Sequence, residues 1–124
     1  MSDEDQIMKM ERDMDLIRLM LLELVTGKAQ PELVQHSDKE IFYHYTLLKD
    51  AGFIDAQFPL DHHGAICRVD NVRVTWQGQE FYDASKESKI WKLAKEHVLK
   101  PGASFTATAL LEYLKMEVRK HLIP

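Results

Sequence analysis

The sequence contains little cysteine and no long hydrophobic run. Its single cysteine, Cys67, excludes an internal disulfide and is typical of a reducing compartment. The longest unbroken apolar run covers only residues 19–22, which is far too short to cross a bilayer. The first residues are acidic, where a secretory signal is basic. We therefore expect a soluble cytoplasmic protein without a membrane partner.

Motifs of known catalytic chemistry are also missing. There is no G-x-S-x-G sequence, no glycine-rich phosphate loop and no H-E-x-x-H helix. His62, His63 and Cys67 lie near one another across a predicted turn, but no second cysteine pair completes a four-coordinate zinc site. We predict no catalytic residues, no metal and no cofactor, and we expect that the protein is not an enzyme.

What the sequence does contain is typical of one globular domain. The 124 residues are 45% hydrophobic and 29% charged. The charge is divided unevenly, since residues 1–85 hold 8 Lys and Arg against 16 Asp and Glu, whereas residues 86–124 hold 8 against 4. A basic tail behind an acidic body predicts that the tail packs on its own body or on a second copy. The alternative is that the tail meets a separate acidic partner.

Apolar residues recur at helical spacing in five places. They predict helices at 11–26, 37–52, 76–85, 89–99 and 104–122. Ser37 and Glu40 form a capping box of the S-x-x-E type at the start of the second helix, and Gly52 follows its end. Thr75 is the expected N-cap of the third predicted helix, 76–85, and Ser104 is the expected N-cap of the last helix.

Between the second and third helices the pattern changes to that of a β-hairpin within residues 53–75. Ile54, Ala56, Phe58 and Leu60 alternate with polar residues and are expected to face inward. In the return strand, the apolar residues lie at odd positions before residues 70–71 and at even positions after them. This change in the alternation predicts a bulge or tight turn at residues 70–71. Residues 27–36 leave room for no more than a single helical turn, and the sequence does not decide whether one forms.

Three ring-bearing side chains have simple structural interpretations. His44 lies beside core positions of its helix and is interpreted as a packed or capping imidazole. Trp76 and Trp91 are interpreted as core anchors beneath the C-terminal helices.

The segment from Ser37 to Ile54 reads S-D-K-E-I-F-Y-H-Y-T-L-L-K-D-A-G-F-I and resembles the recognition helix and first wing strand of ArsR, MarR and PadR repressors. Residues 74–81, V-T-W-Q-G-Q-E-F, resemble the element that follows the wing in those proteins. The resemblance implies a mainly α protein with a small antiparallel β-hairpin. We expect a winged helix-turn-helix domain over 1–85 and a C-terminal helical extension over 86–124, forming one structural unit.

A further resemblance covers most of the chain. The stretches 12–18, 43–44, 47–48, 75–78, 81 and 83–84 resemble the Domain of Unknown Function 2513 family. That family is found mainly in bacteriophage, prophage and related bacterial genomes and has no settled activity. The resemblance therefore implies an origin and a fold, and it implies no catalytic residues.

If the chain binds double-stranded DNA, the contacts are expected on the recognition helix and the wing. The candidate residues are Lys39, Tyr43, Thr46, Lys49, His62, His63, Arg68 and Arg73. An objection is that residues 37–52 hold two Lys against three Asp and Glu, whereas duplex binding depends on neutralising phosphates.

Two functions follow from these observations. The first is a phage or prophage transcriptional regulator that binds DNA, and the second is a winged helix that has lost DNA affinity and binds a host or phage protein. The last helix carries a clean apolar stripe, which predicts a homodimer. The candidate dimer contacts are Leu110, Leu111, Leu114 and Val118.

Overall fold

The computed structural model describes residues 11–100 and 102–122, and in these it contains five α-helices, one 3₁₀ helix and two antiparallel strands. The elements are α1 (Met14–Thr26), a 3₁₀ turn (Pro31–Gln35), α2 (Asp38–Asp50), β1 (Ile54–Gln57), β2 (Asp70–Val74), α3 (Trp76–Ser85), α4 (Ser88–His97) and α5 (Ala107–Leu122). This confirms the predicted class, mainly α with a small antiparallel hairpin. The acidic stretch at residues 2–5 lies outside the described residues.

Local sequence signals explain both ends of α2. The Ser37 side chain accepts a hydrogen bond from the Glu40 backbone N–H at 3.1 Å, so the predicted N-cap is confirmed. The Glu40 carboxylate contacts His36 Nδ1 at 2.8 Å, where a full capping box would turn it back to the cap. At the other end, Gly52 has a φ of 79°, and the Phe53 N–H donates to the Leu48 carbonyl in a Schellman motif.

The short segment before α2 forms a single 3₁₀ turn. Pro31 occupies its first turn, where the missing N–H of proline costs nothing. The turn ends at Gln35, and the His36 N–H donates to the Leu33 carbonyl at 3.2 Å. The segment therefore connects α1 to α2 through one short 3₁₀ helix.

The hairpin has the predicted change of register. Ile54 pairs with Val74 and Asp55 with Arg73, but Gln57 pairs with Asp70, so β2 carries one extra residue. Asn71 has a φ of 55°, which a β-bulge with a left-handed residue requires. The strands are shorter than expected, and beyond them Leu60 is 61% exposed, so its predicted inward position is wrong.

The core is built from α1, the hairpin and the last three helices, with Leu48 contributed by α2. Phe53, Phe81 and Trp91 form a chain of aromatic contacts through it, with ring centroids 4.6 Å and 6.2 Å apart. The buried apolar residues are Leu16, Ile17, Met20, Leu21, Leu48, Phe53, Ile54, Ala56, Phe81, Ala84, Ile90, Trp91, Ala94, Leu110, Leu111 and Leu114. Trp91 is thus a core anchor as predicted, whereas Trp76 is 83% exposed and that prediction is wrong.

The apolar stripe of α5 is covered by the chain itself. Leu110, Leu111 and Leu114 are buried against α3 and α4, and Val118 packs on the edge of the same core. Leu110, Leu111 and Leu114 therefore complete the core of the chain itself, which corrects their assignment as dimer contacts, whereas Val118 is only partly buried. A homodimer stays a prediction that needs another surface. The N-cap of this helix also differs, because Thr106 Oγ1 accepts from the Ala109 N–H in the place expected of Ser104.

Cations of the basic segment 86–124 face carboxylates of the acidic body. Lys95 Nζ lies 3.0 Å from an Asp15 oxygen, and Lys115 Nζ lies 3.4 Å from a Glu80 oxygen. The first pair is supported by Trp91, whose indole N–H donates to Asp15 at 2.7 Å. The tail therefore packs on its own body, one of the two arrangements that the charge division predicts.

Asp15 of α1 contacts Trp91 and Lys95 of α4, and its substitution tests how much these contacts stabilise the fold. Burial alone raises the pKa of Asp15, but hydrogen bonds from Trp91 and Lys95 and the charges of Lys95 and Arg18 outweigh this, and the pKa is lowered. A lowered pKa in the folded state stabilises the protein above the unfolded pKa of about 4, and this stabilisation disappears as the pH falls through the folded value.

We expect Asp15→Asn to lower the free energy of unfolding by about 0.5–1 kcal/mol at neutral pH, since the carboxylate is half exposed and screened. Urea denaturation between pH 7 and pH 3 measures the effect, which should shrink towards zero on acidification. Asp83→Asn is the matched control, because Asp83 is exposed and meets Lys86 only at 3.9 Å. A difference that stays constant with pH would contradict the stabilising role of the charge.

Candidate functional site

An open groove of about 580 Å³ lies between helix α2 and the loop that joins the two strands. Its lining is mostly apolar, and Lys39 supplies the charge at one end. The lining residues are Lys39, Phe42, Tyr43 and Thr46 from α2 and Ala65 and Ile66 from the loop. We call this set the α2 groove.

Helical spacing explains why α2 presents these side chains. His44 and Leu48 are fully buried and fix the inner face of the helix. Phe42, Tyr43 and Thr46 lie on another face and are half-buried. Their apolar surface is therefore left partly open to solvent, although three neighbouring positions of a solvated helix face are usually polar.

The loop side of the groove is fixed by a compact turn. The Asp61 carboxylate accepts from the backbone N–H groups of His63 and Ala65, at 2.8 and 3.0 Å, and the Asp61 N–H donates to the Ala65 carbonyl. Gly64 takes a φ of 83° inside this turn. Ile66 then pairs with Leu60 in an isolated bridge. Backbone hydrogen bonds thus hold the loop side of the groove in place before any partner arrives.

Three of the cations that the sequence assigns to DNA are engaged within the chain. The Lys49 ammonium donates to the Ala56 carbonyl at 2.9 Å. Arg68 donates to both carboxylate oxygens of Asp70, at 3.1 and 2.9 Å, and Arg73 pairs with Asp55 across the strands. A phosphate that approached this face would have to compete with these carboxylates.

The remaining candidates fall into two groups. Lys39, Tyr43 and Thr46 are brought together in the α2 groove. His62 and His63 lie at the exposed tip of the loop with their rings 4.3 Å apart. Within residues 11–100 and 102–122, no three His, Cys, Asp or Glu side chains are close enough to hold a metal ion.

The segment that contains α2 and the hairpin carries a small net negative formal charge. Residues 37–75 hold four Lys and Arg against six Asp and Glu. This balance does not favour long-range attraction of a polyanion. The groove can instead take up an apolar side chain and bury it against aromatic rings.

Sequence reasoning missed the loop side of the groove. Ala65 and Ile66 were not recognised, because they contact α2 only after the loop folds back from positions about twenty residues away. Phe42 carried a usable signal, since it is a large apolar residue at an exposed position of the recognition helix.

The fold and the groove define a small α+β protein with an open, mostly apolar groove beside α2. A family model described as Hypothetical protein (DUF2513) matches residues 11–104. Because this match covers most of the chain, the protein belongs to that family. The curated proteins contain no match to the chain, and neither do the solved structures. Among the described residues, no helix combines the length and apolar character that crossing a membrane requires.

Proposed function

We propose that the protein is a non-enzymatic interaction module whose α2 groove binds an apolar side chain or short segment of a host or phage protein. The observation that carries this proposal is the lining of the groove. At the place where a winged helix reads DNA, aromatic and aliphatic side chains are partly open to solvent, and the nearby arginines are already paired with carboxylates.

The energetics favour a small anchored contact. Interfaces draw most of their affinity from a few aromatic or apolar residues near the centre, surrounded by polar positions that exclude water. Phe42, Tyr43 and Ile66 fit the centre of such an interface, and Lys39 and Asp38 fit its rim. The acidic surroundings favour a partner segment with basic residues next to its apolar anchor.

A DNA-binding regulator of phage or prophage origin is the second candidate. It is favoured by the element order, in which a short turn and an exposed helix precede an antiparallel hairpin, as in a winged helix-turn-helix. Lys39 also lies exposed in the first turn of α2. In this alternative α2 would enter the major groove, and double-stranded DNA would displace the carboxylate partners of the arginines.

Duplex binding at several salt concentrations separates the two candidates. For the interaction module we expect a random-sequence duplex to bind more weakly than about 100 μM at physiological salt. A DNA regulator should bind more tightly, and the logarithm of its affinity should fall linearly with the logarithm of salt. Fluorescence anisotropy with labelled duplex measures both quantities.

Peptide selection tests the groove directly. We expect a displayed random-peptide library to yield binders with an apolar anchor and neighbouring basic residues, and Ile66→Asp to weaken them by at least about tenfold because a buried charge replaces the apolar wall. Ala109→Asp is the control, since it adds the same charge at an exposed position of α5. Peptides that bind both variants equally would place the contact elsewhere.

A further inference from the structure

A second, smaller cavity of about 220 Å³ lies on a different face of α2 from the groove. It is a partly open cavity between the start of α1, the end of α2 and the start of α5, with Arg12, Phe53 and Phe105 contributed by the adjoining segments. Its lining residues are Arg12, Met14, Ile17, Leu47, Leu48, Asp50, Ala51, Phe53, Phe105, Ala107 and Leu110. Nothing in the proposed interaction function uses this cavity.

The interior of the cavity is apolar and its size is suited to one ring. Ile17, Leu48, Phe53 and Leu110 are at most 3% exposed and form its floor. An apolar cavity of about 150 Å³ in a protein core is known to take up benzene. A cavity of 220 Å³ therefore has room for a benzyl or branched aliphatic group with a few further atoms.

Two opposite charges belong to the lining of the cavity. Arg12 and Asp50 are the charged residues of the lining and the most exposed of them, so both lie on the solvent side of the cavity. Neither forms an ion pair with another residue in 11–100 or 102–122. The Arg12 guanidinium instead lies over the Phe105 ring, 4.2 Å from its centroid, and both residues line the cavity.

The surroundings of these two charges define the charge of a suitable ligand. Asp50 lies in the last turn of α2, where the helix dipole also favours a positive group. Arg12 is a good carboxylate ligand, but it is flanked by Glu11 and Asp13 in an acidic neighbourhood. A purely anionic ligand would be opposed by these carboxylates, and a purely cationic one by Arg12.

We propose that this cavity binds a free amino acid with a large apolar side chain. The side chain fills the apolar interior, the carboxylate binds Arg12 and the ammonium group binds Asp50. This zwitterion satisfies both charges without adding net charge to an acidic region. The site lies between three helices, which is a common place for a small-ligand pocket.

Calorimetric titration of the full chain with three probes tests the charge requirement. L-Phenylalanine is expected to bind with a dissociation constant of about 1 mM or tighter. Its two single-charge analogues, 3-phenylpropionate and 2-phenylethylamine, should each bind at least about tenfold more weakly. Equal binding of either analogue, or no heat from L-phenylalanine at about 10 mM, would overturn the proposal.

Substitutions of the lining residues test whether the ligand binds in this cavity, and control substitutions elsewhere separate a loss of binding from a loss of folding. Arg12→Gln and Asp50→Asn should each weaken L-phenylalanine binding by at least about tenfold, and Ala107→Leu should weaken it by filling the cavity. Arg119→Gln and Asp83→Asn are matched controls on exposed surface away from the cavity. Thermal unfolding confirms that each variant is folded.

Amide chemical shifts distinguish binding in the cavity from binding in the α2 groove. L-Phenylalanine should move the resonances of Ile17, Ala51 and Leu110 and leave those of Ala65 and Ile66 in the α2 groove unchanged. Shifts confined to the groove, or wild-type binding by both charge variants, would show that the cavity is not the site. The outcome is independent of whether the groove binds a protein.

Discussion

Gly78→Ala is expected to destabilise the protein by at least about 3 kcal/mol, although alanine is the better helix former. A Cβ atom at Gly78 would lie 2.0 Å from the Phe53 carbonyl oxygen and 2.9 Å from its carbonyl carbon. These are backbone atoms and cannot rotate away. The gain in helix propensity of about 1 kcal/mol is too small to offset a displacement of the whole helix.

The consequence reaches beyond α3. The Phe53 carbonyl accepts from the Thr75 N–H at 3.0 Å, and Thr75 caps α3. Moving α3 away from residue 53 would therefore also weaken the hairpin and the aromatic contact between Phe53 and Phe81. Thermal denaturation should show a fall of about 10 °C or more.

Gln79→Ala is the control for this experiment. Gln79 is exposed in the same helix, so its replacement should change the free energy of unfolding by no more than about 0.5 kcal/mol. A Gly78→Ala variant as stable as the wild type would mean that α3 does not approach the Phe53 backbone this closely.

Local signals explain why much of the fold was predictable. Ser37, Gly52 and Thr75 each act on backbone groups within five residues, so their roles as caps follow from the sequence alone. The parity change at Asp70 and Asn71 predicted the bulge for the same reason, because strand side chains alternate with a fixed period.

The wrong predictions concern tertiary packing, that is, which part of the chain covers a given apolar surface. The α5 stripe has the same spacing whether it meets its own body or a second copy, so periodicity did not identify the covering surface. Trp76 is large and apolar, yet its exposure depends on how α3 begins against the hairpin. The α2 groove likewise depends on the fold bringing Phe42 and Ile66 to line the same space, and no local pattern encodes that placement.

His44 connects the starts of two helices, and its replacement is expected to have the second largest effect on stability. The ring is fully buried. Its Nε2 accepts the Asp13 backbone N–H at 2.9 Å, and its Nδ1 lies 2.9 Å from the Glu40 carbonyl oxygen, to which it donates. The prediction of a packed imidazole is thus confirmed, and the ring has a further role in holding α1 against α2.

We expect His44→Leu to lower the free energy of unfolding by about 2 kcal/mol. Leucine is close to histidine in volume, so the main loss is the acceptor for the Asp13 N–H, which would be left unpaired. Because Asp13 is also the N-cap of α1, the first turn of that helix should loosen. Urea denaturation measures the stability, and hydrogen exchange measures protection of the amides from Asp13 to Ile17.

His36→Leu separates this effect from the loss of any histidine near α2. His36 also contacts Glu40, but it is partly exposed and holds no backbone group of α1. Its replacement should cost no more than about 0.5 kcal/mol and leave exchange in α1 unchanged. If the two variants behave alike, the α1–α2 connection does not depend on the His44 ring. Faster exchange in α1 for His44→Leu alone would locate the loss at the Asp13 N–H, which is the backbone donor that binds this imidazole within the described part of the chain.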